Sequence, residues 1–157
     1  MDNLIVFGAK YLILLPIAVA VYVAYTIKDK KIRRQFTLTL LVAGLTSYLA
    51  AQLIKAQVAS PRPYISEGTT PLFYPSNDYG FPSDHTLLAA FLAFCILPYR
   101  RRLGAVLAVA AILIGWVRVA SGVHYFVDVV AGFVLAGTVC WVAHYMISCR
   151  LSAENTT

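Results

Sequence analysis

The sequence predicts an all-α fold, a polytopic transmembrane helical bundle of about five to six spanning helices. Three observations point there. The chain is 60% hydrophobic and only 13% charged, whereas a soluble domain is about half apolar and about a quarter charged. The apolar residues gather into runs near the roughly 20 residues that a bilayer-spanning helix needs. The basic residues fall mostly in short connections between those runs, which is the pattern membrane orientation produces.

Five runs follow in order. The first covers Leu4 to Ile27 and is interrupted only by Lys10. The second is Phe36 to Ile54, and the third runs from His85 to Pro98. The third is short, so it is expected to extend through the polar residues at its start. The fourth is Leu103 to Val119 and the fifth is Phe126 to Ser148. No repeat or low-complexity stretch divides the chain, so residues 1–157 read as one membrane-embedded domain. The N-terminus lacks a basic region and a small-residue cleavage site, so the first run is expected to stay as an anchor.

The connections set the orientation. Lys28, Lys30, Lys31, Arg33 and Arg34 lie between the first two runs, Arg100 to Arg102 between the third and fourth, and Arg150 after the fifth. The positive-inside rule puts all nine on the cytoplasmic side of the plasma membrane. Five alternating crossings then leave the N-terminus outside. The connections Lys55 to Asp84 and Arg118 to Tyr125 also lie outside. The net charge of +6 therefore reports topology and not a nucleic-acid partner, which would need a basic patch on a soluble face. Cys95, Cys140 and Cys149 lie in or at the end of apolar runs, without metal-ligand spacing. They read as small core residues and not as a disulfide frame.

The outer side carries the chemistry. Apart from Lys10 it holds three basic residues, Lys55, Arg62 and Arg118, with His85 and His124 beside them. Ionisable groups near membrane depth are expensive and mark function by default. The long outer connection holds Pro61-Arg62-Pro63-Tyr64 and then Phe73 to Pro82. Its prolines and glycines exclude a long helix. Its aromatics suit the headgroup region, as an anchor or as an entry ramp for a lipid tail.

Each polar group has a reason to handle phosphate. Ser83 is placed as an N-cap, so the amides of the following turn face whatever sits above the helix. His85 lies in that turn, and Asp84 is tolerated there because its charge complements the helix dipole. His124 and Asp128 are four apart, which stacks them on one helical face. A carboxylate on one ring nitrogen fixes the tautomer and supports the cation formed when the other nitrogen attacks. Gly122 permits a sharp turn, so Arg118 can fold back over the site. Arg62 and Arg118 offer planar forks to phosphate oxygens, and Lys55 offers a point charge.

Taken singly, these features are weak. A histidine beside interfacial aromatics is usually a hydrogen-bonded anchor, and a lone His–Asp pair serves a structural or a metal site equally well. His144, late in the fifth run and without partners, reads as structural. The Asn155-Thr156-Thr157 sequon lies on the cytoplasmic tail and carries no meaning there. The joint pattern differs, because three motifs at three outer helix ends converge on one face.

Lys55-(six residues)-Arg62-Pro63, Pro82-Ser83-Asp84-His85 and Arg118-(five)-His124-(three)-Asp128 resemble the three signature motifs of the type 2 phosphatidic-acid phosphatase superfamily. The resemblance implies a helical bundle with the site between helix ends. It implies a phosphohistidine on His124, oriented by Asp128, with His85 as acid–base partner. It also implies Lys55, Arg62, Ser83 and Arg118 as phosphate ligands, with Asp84 grouped among the residues at the phosphate. Asp84 stands where the family usually has Gly. Val117 stands where it usually has Ser, which removes one supporting hydrogen bond. Phe81-Pro82-Ser83-Asp84-His85-Thr86 with Gly122-Val123-His124 is similar to bacterial undecaprenyl-diphosphate phosphatases of the bacitracin-resistance type. The family commonly has six spanning helices; five runs are visible here, so one is absent or residues Met1 to Gly8 form part of another.

The expected reaction is hydrolysis of undecaprenyl diphosphate to undecaprenyl phosphate and phosphate. No metal and no cofactor are expected, because three fixed cations already supply the electrostatic work. Phosphatidylglycerophosphate or phosphatidate phosphatase activity is the nearest alternative, since the motifs read phosphate and not the tail. A lipid or anion transporter is the alternative from another class. The His124–Asp128 pair with His85 argues against it, since binding alone needs no nucleophile. The expected partners are a lipid phosphate or diphosphate and the bilayer. Oligomeric state has no sequence signal.

Overall fold

The computed structural model describes residues 2–75 and 79–153. Its elements are α1 (Asp2–Tyr11), α2 (Leu14–Thr26), α3 (Lys30–Val58), α4 (Pro63–Ser66), α5 (Asp84–Ile96), α6 (Arg101–Ala120) and α7 (Phe126–Ala153). Among the described residues four helical segments are long and apolar enough to cross a membrane: Asp2–Thr26, Lys30–Val58, Arg101–Ala120 and Phe126–Ala153. The shorter apolar helix Asp84–Ile96 makes the fifth. The chain is thus an all-α, multi-pass membrane protein, and the five runs of the sequence are its helices. The sequon at Asn155 lies outside the described residues.

The first span is interrupted at Leu12 and Ile13. Pro16 explains the break, since its ring clashes with the carbonyl four residues back, at Leu12, and it has no N–H to donate. The stretch from Asp2 to Gly8 belongs to this span and builds no sixth crossing. At its N-terminal end α3 begins six residues before the apolar run. Asp29 caps it, with Oδ1 accepting from the amides of Lys31 and Ile32 at 2.8 and 2.9 Å. The basic connection is therefore largely the first turns of a helix.

α5 sits at the centre and packs against α2, α3, α6 and α7. Its buried residues run all round it, from Thr86 through Ala89, Ala90, Phe91 and Ala93 to Ile96. Such a helix faces protein on most sides, with Asp84 and Leu88 exposed on the remaining face. At 1.5 Å per residue, 13 residues span only about 20 Å of a hydrocarbon core of about 30 Å. The extension expected before His85 does not form: Ser83 is the N-cap and Asp84 the first helical residue. Leu41, Leu45, Leu53, Val106, Trp116, Val134 and Trp141 point outward and are more than half exposed. An apolar exterior around a partly polar interior is what a lipid solvent selects. The three cysteines are free; Cys95 and Cys140 are buried with their sulfurs 3.5 Å apart.

Candidate active site

Four chain segments deliver side chains to one place at one end of the bundle, the end expected outside from the basic connections. Lys55 lies in the last turn of α3. That helix ends at Ala59, which adopts a left-handed conformation (φ 42°) and turns the chain back over the helix end. The long connection between α3 and α5 is then pinned to itself. Pro61 forms an isolated antiparallel bridge with Tyr79, and the Gly80 amide donates to the Ser60 carbonyl at 2.9 Å. Arg62, between these anchors, points inward. Its Nη1 donates to the Val123 carbonyl at 2.8 Å and lies 3.0 Å from His124 Nε2.

His124 sits in the turn between α6 and α7. Gly122, at φ 71°, makes that turn, in a region where a side chain would be strained. Arg118, one turn earlier on α6, brings its Nη2 to 3.5 Å from His124 Nε2. On the other edge of the ring, His124 Nδ1 lies 3.2 Å from Asp128 Oδ2. The same oxygen accepts from the Tyr125 amide at 2.9 Å. The Asp128 carbonyl accepts from the Ser83 amide at 3.0 Å, which ties α7 to the start of α5.

These contacts fix the imidazole tautomer. Guanidinium groups only donate, so Nε2 must accept, and the ring proton sits on Nδ1 facing Asp128. The Nε2 lone pair thus faces the space between two guanidiniums. Burial holds the His124 pKa below its usual 6.5 against the pull of Asp128, and the charges of Arg62 and Arg118 push the same way. The ring is neutral and nucleophilic at ordinary pH. Lys55, Arg62, Arg118, His124 and Asp128 are all 5% exposed or less. Buried charge of one sign is costly without a counter-ion. Arg62 and Arg118 converge on His124 Nε2 out of solvent, an arrangement that can receive an anion.

The second motif contributes differently from expectation at two positions. Ser83 occupies the N-cap but makes no side-chain bond to the helix amides; its hydroxyl accepts from Thr86 Oγ1 at 3.2 Å. The first-turn amides are left without a side-chain cap and can face an anion. Asp84, grouped with phosphate ligands on sequence, is half exposed and pairs with the Lys55 ammonium. Its partner, Lys55, is itself one of the expected phosphate ligands. His85 is half-buried beside it, close enough to sense the charges of Arg118, His124, Asp84 and Arg62. His144 is remote from all of these, beside Tyr99 at the other end of the bundle.

Sequence reasoning missed Gly80 and Tyr125. A Cβ on Gly80 would lie 2.9 Å from Asp128 Oδ2 and 3.6 Å from His124 Nδ1. Only a residue without a side chain can roof the His–Asp pair so closely. The Tyr125 hydroxyl bonds Glu67 Oε1 at 2.7 Å and lies 2.8 Å from Ser66 Oγ, clamping the His124 turn to α4. The one signal for Gly80 was a glycine two residues before a proline, which reads equally well as a plain turn.

A family model described as the PAP2 superfamily matches residues 36–151. An undecaprenyl-diphosphatase of Bacillus subtilis, BcrC, is 29% identical over 137 residues, covering 87% of this chain and 69% of the relative. An undecaprenyl-diphosphatase of Sulfolobus acidocaldarius is 28% identical over 112 residues, covering 70% of this chain and 54% of the relative. Two solved structures share the fold at 22% identity. A PAP2-type phosphatidylglycerolphosphate phosphatase from Bacillus subtilis aligns with TM-score 0.68 over 92% of this chain and 75% of that one. Aquifex aeolicus LpxE aligns with TM-score 0.66 over 90% and 84%.

Proposed function

Because the chain belongs to the PAP2 superfamily and is a membrane phosphatase, we propose that it hydrolyses undecaprenyl diphosphate to undecaprenyl phosphate and inorganic phosphate at the outer face of the plasma membrane. The observation that carries the reading is His124, held by Asp128 on Nδ1 while Nε2 looks between two guanidiniums. A pure anion-binding site has no use for an oriented, neutral imidazole at its centre. The lipid diphosphatases among the relatives favour this substrate.

The reaction has two steps. His124 Nε2 attacks the terminal phosphorus, and the bond from that phosphorus to the bridging oxygen breaks. Arg62, Arg118, Lys55 and the first-turn amides of α5 hold the spreading negative charge. His85 protonates the departing lipid phosphate. A water then attacks the phosphohistidine, giving its proton to His85 as the P–N bond breaks. Inorganic phosphate leaves and both histidines return to their starting states. Asp84 steadies the Lys55 ammonium throughout.

A groove of about 390 Å³ descends from Asp84 between α3 and α5, lined by Gly44, Ser47, Tyr48, Leu87, Leu88 and Phe91. An apolar groove beginning at the site suits a substrate whose tail stays in the bilayer. Phosphate release by purified protein tests the reading across a panel of undecaprenyl diphosphate, phosphatidylglycerophosphate and phosphatidate. The expected result is the highest kcat/KM on the diphosphate. A clear preference for either phosphomonoester would overturn the substrate while keeping the phosphatase.

A further inference from the structure

Lys10 is the one basic residue within an apolar run that the three motifs leave unexplained. It lies in α1, near the outer end of the first span by the orientation that the basic connections set, where positive charge is selected against. Its segment precedes residues 36–151, which the family model covers.

The structure gives Lys10 a specific neighbour. Its Nζ lies 5.2 Å from the centre of the Phe73 ring, and the Arg118 guanidinium carbon lies 5.3 Å from the same ring. Both are within cation–π range. Arg118 also bonds back to α1: its Nη1 donates to the carbonyl of Ala9, the residue before Lys10, at 3.3 Å. Its Nη2 faces His124 on the other side. Arg118 therefore stands between Lys10 and the attacking nitrogen. The Arg118 Nε is buried with no hydrogen-bond partner in the protein.

An aromatic ring softens the repulsion between two cations but supplies no net negative charge. Among the described residues no carboxylate forms an ion pair with Lys10 or Arg118. Two neighbouring cations, one exposed and one buried, thus share a neutral ring and can receive one anion together. A phosphate monoester beside His124 would meet Arg62, Arg118 and Lys55. A diphosphate has a second phosphoryl group further from His124, and Arg118 leads from the nucleophile towards Lys10.

We propose that Lys10 is a specificity-determining residue that binds the non-transferred phosphoryl group of a lipid diphosphate, with Phe73 holding it beside Arg118. The inference rests on the lipid-diphosphatase reading above and extends it to a residue outside the three motifs. On this account, selection of diphosphate over monophosphate lies in the N-terminal span, and the hydrolytic chemistry lies in the motifs.

The test compares wild type with Lys10→Gln and Lys10→Arg, as full chains in the same neutral detergent. The substrates are farnesyl diphosphate and farnesyl monophosphate, which share a tail and differ by one phosphoryl group. The ratio of kcat/KM for diphosphate over monophosphate should fall on the order of tenfold in K10Q, the usual size of one lost charge-assisted contact. The loss should lie mainly in KM, and K10R should restore most of it. Repeating the assay in vesicles with and without phosphatidylglycerol separates a contact with bulk lipid. An unchanged ratio in K10Q overturns the inference and leaves the diphosphatase reading standing. So does an equal fall on both substrates, or an effect seen only with the anionic lipid. Wild-type protein inert on the diphosphate would sink both readings.

Discussion

The two ends of the bundle are both rich in cations, yet they treat them in opposite ways. At the end opposite the three motifs Lys28, Lys30, Lys31, Arg33, Arg34 and Arg100 to Arg102 are all exposed. A hollow of about 680 Å³ lies there, lined in part by Lys28, Arg100, Tyr99 and His144. At the end that holds the three motifs Lys55, Arg62 and Arg118 are buried, and so is His124. The histidines make the contrast plain. His144 is half-buried with its Nδ1 3.4 Å from the Tyr99 hydroxyl. His124 is gripped on both nitrogens by groups of opposite charge. The difference teaches that neither the number of cations nor the size of a hollow marks a site. Charge held out of solvent does, because the fold must oppose desolvation to keep it there.

The contrast breaks most sharply at Asp128. Asp128→Asn keeps the shape but removes the charge that fixes the His124 tautomer. It should lower kcat by about 10³- to 10⁴-fold, as such replacements do in other histidine-dependent enzymes. His144→Ala at the opposite end should leave kcat within about twofold, a surface-like effect. Steady-state phosphate release on both variants measures the difference. Equal effects would mean that the two ends are not functionally distinct.

Gly80→Ala should act on the same pair from above. Its Cβ would enter at 2.9 Å from Asp128 Oδ2 and displace the carboxylate. A misplacement near 1 Å costs about 10²-fold in rate. The fall should appear in kcat at unchanged melting temperature. A drop in melting temperature with normal kcat would make Gly80 a packing residue only.

Much of this arrangement is legible in the sequence. The five spans follow from apolar runs, and the converging groups follow from motif spacing. Where sequence reading falls short, the reason is local and physical. Pro16 breaks the first span at a carbonyl four residues earlier, so the break falls away from the proline itself. Asp29 begins α3 inside a charged connection, where hydropathy is blind and only the cap signals a helix. α5 is short because protein surrounds it, which no single run can reveal. Asp84 looks like a phosphate neighbour by position, but its partner Lys55 is 29 residues away. Gly80 and Phe73 act through contacts across the fold, and neither carries a charge to announce it.

Protonation sharpens the comparison further. Burial and the two arginines keep the His124 pKa below 6.5, so the neutral nucleophile persists to lower pH than a free histidine would allow. Activity should fall as pH drops through that lowered value, placing the acid limb of kcat/KM below 6.5. Removing one opposing cation in Arg62→Gln should move the limb upward, while Arg100→Gln at the opposite end should leave it in place. A pH–rate series reads both. An acid limb above 6.5 in the wild type would contradict a buried neutral His124.

Orientation gives the comparison its direction without changing activity. A cysteine at Thr69, in the outer connection, should react with an impermeant thiol reagent in intact cells of a strain expressing the protein. One at Lys30 should react only after the membrane is opened. The reverse pattern would turn the buried site inward.

The claim on which everything else depends is that His124 carries the phosphoryl group. His85→Ala should slow release of that group, so the intermediate should accumulate. Full-length H85A protein mixed with lipid diphosphate, quenched in alkali and read by peptide mass spectrometry should carry one phosphate on His124. The same experiment on His124→Ala should yield unmodified protein. Phosphate on any other residue, or a phosphoenzyme that survives His124→Ala, would contradict the account.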